Sequence, residues 1–514
     1  MGDSKKKRNF PACLYGLFFI FYTMMLLYAC FSCVKTIYNP AYKNEYMLGL
    51  LFSGCTILFL WIAAQNLNQC SIRSEICMVV FLCVIAFVLR WMCIHILKTE
   101  QISDFANCNF AVKVFRGEVQ DISAFNYCRD YYARYPSWFP YMRLVNFLYE
   151  YLCKGVVHTE AVKYANAILS VITCAGIYYA VRCYFKRSTA FVAGMLYACS
   201  PSMIIWTNVM SPDHITMWLF TLQAITWYWI WRKKDDRKAC VVFIVLHSIV
   251  CALINWFKPL SLLFLLIFFC FLFGTYIKQE KRKYILVCAA YMLSFITCFI
   301  GFSKILDVWV ESYIQQDSVD STWTYIYSGI TMNEDGTLDH RGSEKVLEIY
   351  ETYGDLKEQQ DILKKLAFKE IRENGIKLPL LLLNKYEDAV NSEGTTWFWA
   401  NTNNQDGYAE KVDAVLGLQF FFTANGYYFL LLIFAVCSAI SQMFLKYKNV
   451  YAYSAALTIS GFISILVLSV AQSRYKLIIA PYFVMLSANG LETFMESLLG
   501  WFNKWKRMQR KENK

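Results

Sequence analysis

Apolar residues in this chain arrive in blocks of about 18 or more, and polar residues collect in the gaps between them. The blocks fall near 12–34, 46–64 and 75–97, then near 160–181, 189–209, 213–231, 239–257, 259–276 and 284–304, and finally near 424–445, 450–471 and 477–496. About 20 apolar residues in a helix cross a hydrocarbon layer about 30 Å thick, and lipid leaves the backbone no partner but itself. The pattern therefore predicts an all-α polytopic membrane protein with about 12 transmembrane helices. It divides into an N-terminal three-span segment (1–97), an outer loop (98–158), a six-span core (159–304), a polar segment (305–420), and three last spans with a basic tail (421–514).

Within the polar stretches the spacing changes. In 138–153 the polar residues Arg143, Asn146, Glu150 and Lys154 recur at intervals of three and four, with Trp, Phe, Leu and Tyr opposite. This predicts a helix lying in the membrane interface. The stretch 105–116 has the same character, with Phe105, Cys108, Val112 and Phe115 on one side. In 344–375 Val346, Ile349, Tyr350, Tyr353 and Leu356, then Ile362, Leu366, Phe368 and Ile371, predict a small, mostly helical extracytoplasmic domain; 376–384 is too short to span.

Composition agrees: 57% of residues are hydrophobic and 17% charged, more apolar and less charged than a soluble or disordered chain. The net charge of +12 sits in clusters between spans, which points to lipid headgroups and cytosol and away from nucleic acid. Lys5, Lys6, Lys7 and Arg8 precede the first block, which reads as a retained anchor. Arg182/Lys186/Arg187, Arg232/Lys233/Lys234/Arg237/Lys238 and Lys278/Lys281/Arg282/Lys283 alternate with short connections at 211–214 and 258–259. With the tail residues Lys504, Lys506, Arg507, Arg510 and Lys511, this puts both termini in the cytoplasm and the long polar segments outside the cell membrane. Most of the 20 cysteines lie in apolar runs, as do Cys30 and Cys33 in their C-x-x-C spacing, and read as small hydrophobes. Cys108 and Cys128 share the first outer loop, and their pairing stays open.

No phosphate loop, dinucleotide fingerprint or H-E-x-x-H is present, and the five histidines form no cluster with metal-ligand spacing. Four polar islands stand at span ends. Asp104, in Ser103-Asp104-Phe105, is a carboxylate at the membrane face, suited to a general base or simply solvated. Tyr135-Pro136 with Trp138, Pro140 and Tyr141 leads into the interfacial helix and also suits an aromatic belt. Asp213 and His214 open a span, where Asp213 either acts chemically or complements the helix dipole. Arg474 and Tyr475, in Ser473-Arg474-Tyr475-Lys476, put cations on the side that usually lacks them, as for a phosphate ligand or a headgroup.

The stretches ISDFANCNFAVKVFRGE, YPSWFPYMRLVNFLYEYLCKG, CSPSMIIWTNVMSPDHITMW, NWFKPLSLL and SRYKLIIAPYFVMLSANGLE, in this order, resemble bacterial GT-C glycosyltransferases related to protein O-mannosyltransferases and aminoarabinose transferases. The resemblance runs over about residues 95–495. It implies a GT-C-like fold and an enzyme that transfers a sugar, with inversion, from a polyprenyl-phosphate donor to an envelope glycan, lipid or protein outside the cytoplasm. It implies Asp104 as catalytic base, with Asp213 a second acidic candidate. Lys258, Arg474 and Arg143 become candidate donor-phosphate ligands, and His214, Tyr475 and Tyr135 further site candidates. Two departures stand out. Two additional spans precede the usual first one. The acidic doublet of some relatives is missing, since Phe105 follows Asp104; its partner would have to be Asp213, Glu118 or Asp121, so a divalent metal stays open. A transporter or lipid flippase and a surface-polysaccharide polymerase are the competing readings; the first predicts midspan charges and repeated halves, and neither stands out in the chain.

Overall fold

The computed structural model describes residues 10–37, 43–69, 71–233, 235–260, 263–267, 281–333, 338–339, 341–444, 450–469 and 471–512. Among these the regular elements are helical, apart from an isolated bridge between Met332 and Leu338. In chain order the helices are α1 (Phe10–Ile37), α2 (Lys43–Gln65), α3 (Ile72–Leu97), α4 (Ser103–Phe115), α5 (Ile122–Arg134), α6 (Phe139–Leu152), α7 (Thr159–Tyr184), α8 (Arg187–Ala198), α9 (Pro201–Trp206), α10 (Asp213–Arg232) and α11 (Arg237–Phe257). They continue as α12 (Lys281–Ile314), α13 (Thr322–Ile330), α14 (Arg341–Thr352), α15 (Leu356–Asn374), α16 (Leu378–Val390), α17 (Gly394–Ala400), α18 (Tyr408–Val412), α19 (Leu418–Phe444), α20 (Val450–Leu468) and α21 (Ala480–Glu512).

Nine helices among the described residues are long and apolar enough to cross a membrane. This is the polytopic all-α membrane protein that the blocks predict. The remaining blocks differ for physical reasons. The one at 213–231 is a helix, α10, but Asp213, His214, Gln223 and four tryptophans dilute its apolarity. The one at 259–276 lies largely outside the described residues. The one at 189–209 is not a single span: it divides into α8 and α9.

α19 packs against α1, α2 and α21, and α10 against α7 and α11. Backbones come close where side chains vanish. A Cβ on Gly49 would stand 2.6 Å from the Phe422 carbonyl oxygen, and one on Gly490 1.7 Å from that of Phe434. In lipid, where no hydrophobic force draws helices together, such close approach is a main source of attraction. Phe21, Met24, Phe31, Leu48, Phe52, Phe59, Val80 and Val84 stay exposed along α1–α3, as a hydrocarbon-facing surface requires.

The two ends of the bundle differ chemically. At one end Glu75 accepts from Arg182 at 3.0 Å and pairs with Arg187 at 2.8 Å, and Lys186 reaches Glu492 at 3.7 Å. At the other, Lys163 pairs with Glu160 at 2.7 Å and donates to the Thr99 carbonyl at 2.8 Å, while Asn403 donates to the Lys98 carbonyl at 3.1 Å. At this second end α4–α6 carry the first polar segment. Phe105, Cys108 and Val112 turn inward on α4 as their spacing predicts. On α6 the polar face is not uniformly outward: Asn146 is buried and accepts from Arg116 at 2.6 Å, while Leu144, Phe147 and Tyr151 are exposed. Helices α13–α15 form a small core of Tyr327, Ile330, Val346, Ile349, Leu363 and Ala367. Phe368 and Ile371 of the predicted pattern lie outside it, exposed. Lys385 on α16 clamps this unit to the end of α20 by donating to the Gly329 and Ser469 carbonyls.

The division of α8 from α9 has a local cause. Pro201 has no N–H to give the Tyr197 carbonyl, which is left with a long 3.4 Å bond from Ser200 N, and the helix ends at Ala198. Arg90, wholly buried in α3, supplies further donors: Nη1 to the Ala198 carbonyl at 3.1 Å and Nη2 to that of Tyr197 at 3.5 Å. Its guanidinium also lies 5.5 Å from the Tyr197 ring centroid. Beyond α9, Asn166 donates to the Thr207 and Val209 carbonyls at 3.2 and 3.0 Å, and Gln101 donates to Asn208 at 2.9 Å and accepts from Met210 N at 2.8 Å. Irregular backbone inside the bundle is thus satisfied by side chains.

Arg90→Met keeps most of the volume and removes the donors. Leaving the buried Ala198 carbonyl unmet and that of Tyr197 with only its long bond from Ser200 N costs about 2 kcal/mol, so the thermal midpoint in detergent is expected to fall, with Arg90→Lys intermediate. A midpoint at or above that of the parent protein refutes the clamp.

Candidate active site

Four chain segments end at the polar end of the bundle and meet there. α3 closes on Lys98, which takes the left-handed conformation at φ 48°, and Ser103 repeats it at φ 53°. The chain therefore turns sharply before α4. Asp104 lands exposed in the first turn of α4, and Phe105 is driven under it, 4% exposed. The Phe105 ring is the hub of the site, with centroids of Trp399, Trp206 and Trp138 at 5.4, 6.0 and 6.1 Å.

Against the same ring lies Arg474. It sits in a tight turn, Ser473–Ile479, ahead of α21 and is 8% exposed. Its guanidinium is 4.2 Å from the Trp399 centroid, 5.0 Å from Tyr475 and 5.4 Å from Phe105. Nε donates to Gln472 Oε1 at 2.8 Å and Nη2 to the Tyr475 hydroxyl at 3.3 Å. No described carboxylate lies within ion-pair distance of it. Lys476, on the same turn, faces the opposite way: it pairs with Glu393 at 3.1 Å and lies 3.9 Å from the Tyr428 centroid. That pair borders a separate cavity of about 50 Å³ between α9, α19 and α21.

Lys258 is the second cation. It closes α11 in an extended conformation that stops the helix before Pro259. Its ammonium pairs with Asp213 at 3.0 Å and lies 5.6 Å from the Tyr475 centroid. Tyr475 is thus a common neighbour of Lys258 and Arg474. Asp213, with its side chain 4% exposed, also accepts from Trp206 Nε1 at 3.2 Å and lies in the field of both cations.

On the other side of Asp104 stands a group of tyrosines. The Tyr131 hydroxyl donates to Asp104 Oδ1 at 3.2 Å. Tyr131 lies 5.2 Å from Tyr135, and Tyr135 6.2 Å from Tyr325 of α13. Burial, and then the Asp104 charge, push the Tyr131 phenol well above its ordinary value. Burial raises Tyr135 as well, and Tyr325 through burial and then the neighbouring Tyr475 and Asp104. These phenols are neutral donors at any physiological pH.

Of the sequence candidates, Asp104, Asp213, Lys258, Arg474, Tyr475 and Tyr135 come together here. His214 is adjacent but fully committed. Its Nε2–H donates to the Trp206 carbonyl at 3.1 Å, which leaves Nδ1 as acceptor for Ser170 Oγ at 3.2 Å. Arg143 turns to α12, donating to the Tyr313 hydroxyl at 2.8 Å with its guanidinium 4.4 Å from that ring. The missing acidic doublet is not completed from elsewhere. Glu118 lies 3.6 Å from Arg116, Asp121 caps α5 through Ser123 N at 2.9 Å, and Asp213 holds Lys258. No described group of three or more His, Cys, Asp or Glu side chains converges as a metal site. Cys108 and Cys128 are buried free thiols. Trp399, Gln472, Tyr131 and Tyr325 border the site and do not figure among the sequence candidates, while Phe105 figures there only in the apolar face of its helix and beside Asp104. Only Tyr131 carried a signal, its four-residue spacing from Tyr135.

Lys258→Met leaves Asp213 buried and unpaired, which costs about 3 kcal/mol. The melting midpoint should fall, and the Asp213→Asn/Lys258→Met double variant should recover most of the loss. If the single and double variants melt alike, the pair is not the strut described.

A family model described as dolichyl-phosphate-mannose-protein mannosyltransferase matches residues 149–302, from the end of α6 into α12. The match includes Asp213 and Lys258, and Asp104 and Arg474 lie outside it. No curated protein matches the chain. Over these residues the chain is similar to that mannosyltransferase family, which supports a membrane glycosyltransferase of the GT-C type.

Proposed function

We propose that the protein transfers a sugar, with inversion, from a polyprenyl-phosphate donor to an acceptor hydroxyl outside the cytoplasm. One observation carries the reading. Two cations lie near the Tyr475 ring, one of them a buried guanidinium with no described carboxylate within ion-pair distance, and Phe105 links that guanidinium to an exposed carboxylate. A guanidinium held by rings and an amide keeps its fork available for phosphate oxygens.

The chemistry follows from charge. A phosphate monoester on a polyprenol leaves without a proton if cations neutralise it. Arg474 and Lys258 meet that need, and Asp213 positions Lys258. Asp104 accepts the acceptor's hydroxyl proton as its oxygen bonds to the anomeric carbon. The carbon–oxygen bond to phosphate breaks on the opposite face, polyprenyl phosphate departs with the electron pair, and the configuration inverts. Tyr131 fixes the rotamer of Asp104 and, as a neutral phenol, does not compete as a base. The donor's tail stays in the bilayer, so the reaction belongs at the interface. The alternation of basic clusters supports the extracytoplasmic side, with both termini in the cytoplasm.

The test is transfer of radiolabelled mannose from polyprenyl-phosphate mannose in membranes. Asp104→Asn should lose about 100-fold or more in rate while still binding donor. Arg474→Gln should raise the donor KM. Full activity in Asp104→Asn removes it as base. Solute uptake without transfer from a panel of polyprenyl-phosphate sugars replaces the enzyme with a transporter.

A further inference from the structure

The tyrosines beside Asp104 extend further than an orienting contact for the base requires. Tyr127, Tyr131 and Tyr135 follow one another at four-residue steps along one face of α5 and its C-terminal cap. Tyr127 and Tyr131 are near parallel, 6.4 Å apart at 28°. The row continues through Tyr135 to Tyr325, brought in by α13 from a segment nearly two hundred residues later. Backbone bonds anchor that segment: Val319 N donates to the Ala133 carbonyl at 2.9 Å, and Ser321 Oγ donates to that of Arg134. The ends of the row are open to solvent, with Tyr127 50% and Tyr325 36% exposed; Tyr131 and Tyr135 between them are half-buried, and the exposed Asp104 touches Tyr131.

We propose that Tyr127, Tyr131, Tyr135 and Tyr325 form the acceptor platform, and that the acceptor is an uncharged carbohydrate chain laid along these rings with one hydroxyl at Asp104. The identification rests on the reading of Asp104 as base. The platform chemistry stands on its own observations. A sugar ring presents C–H groups on its faces and hydroxyls on its rim, so aromatic faces with phenol groups at their edges meet both. Successive rings 5.2 to 6.4 Å apart suit an oligosaccharide rather than a single residue.

Other occupants fit less well. An anionic headgroup needs cations beside the row. Arg129 lies 3.4 Å from Asp130, and the guanidinium of Arg134 lies over the Tyr350 ring at 4.3 Å. The two cations of the phosphate site lie beyond Phe105 and Tyr475. An extended peptide needs backbone partners, and the rim is helical, with its N–H and C=O groups used internally.

The experiment uses the full chain in nanodiscs without donor. Saturation-transfer NMR is recorded with mannotetraose, cellotetraose and chitotetraose as probes. Transfer to ring C–H protons of at least one is expected. Tyr127→Ala and Tyr325→Ala should each weaken that binding by about tenfold. Tyr127→Trp should retain it, and Arg474→Gln should leave it unchanged. Melting midpoints equal to the parent's show that the alanine variants fold. No transfer from any of the three probes, or affinity equal to the parent's in both alanine variants, overturns the platform. If Asp104→Asn transfers sugar normally while oligosaccharide binding still depends on Tyr127 and Tyr325, the base assignment falls and the platform stands.

Discussion

The polar end of this protein is organised around Arg474, a buried positive charge with no described carboxylate within ion-pair distance. Burying a guanidinium without a carboxylate is unfavourable unless its donors are met and its charge is stabilised in another way. Here Gln472 and the Tyr475 hydroxyl meet two donors, and the faces of Phe105, Trp399 and Tyr475 supply the rest. Neutral rings stabilise a cation without cancelling it. Lys258 is handled differently, since Asp213 neutralises it and fixes its position. The site therefore combines one directly paired cation with one whose guanidinium is held by rings and an amide, and the second keeps donors free for an anion.

The membrane architecture makes that arrangement possible. Asp104, Asp213, Lys258 and Arg474 belong to α4, α10, the end of α11 and the turn before α21. They meet because each stands where a helix begins or stops at one end of the bundle. The break between α8 and α9 serves the same end, since it carries the chain from the α8 core to Asp213 through a stretch of non-helical backbone. Arg90, Asn166 and Gln101 hold that stretch.

Much of this was legible in the chain. Apolar blocks located the spans, and polar residues at their ends located Asp104, Asp213, Lys258 and Arg474. What escaped was whatever depends on contact between distant segments. The Pro201 break was read through because the block around it stays apolar. Arg90 looks like a stray charge until the Tyr197 and Ala198 carbonyls, 107 and 108 residues away, are seen to need it. Tyr325 comes from a polar segment whose spacing reveals helices but not what they lean against. Arg143 failed in the other direction: its helical-face pattern is real, but its partner is Tyr313. A pattern along one helix says which residues share a face and nothing about what that face meets.

The position of Tyr475 has one more consequence. Its ring is the common neighbour of Lys258 and Arg474, so the two charges are not separable elements. Removing the ring would alter both at once, and removing either charge would change the surroundings that the ring offers the other. Energies measured singly at these three positions will not sum to the effect of changing them together. Tyr475, Lys258 and Arg474 are thus one thermodynamic unit rather than three independent contacts.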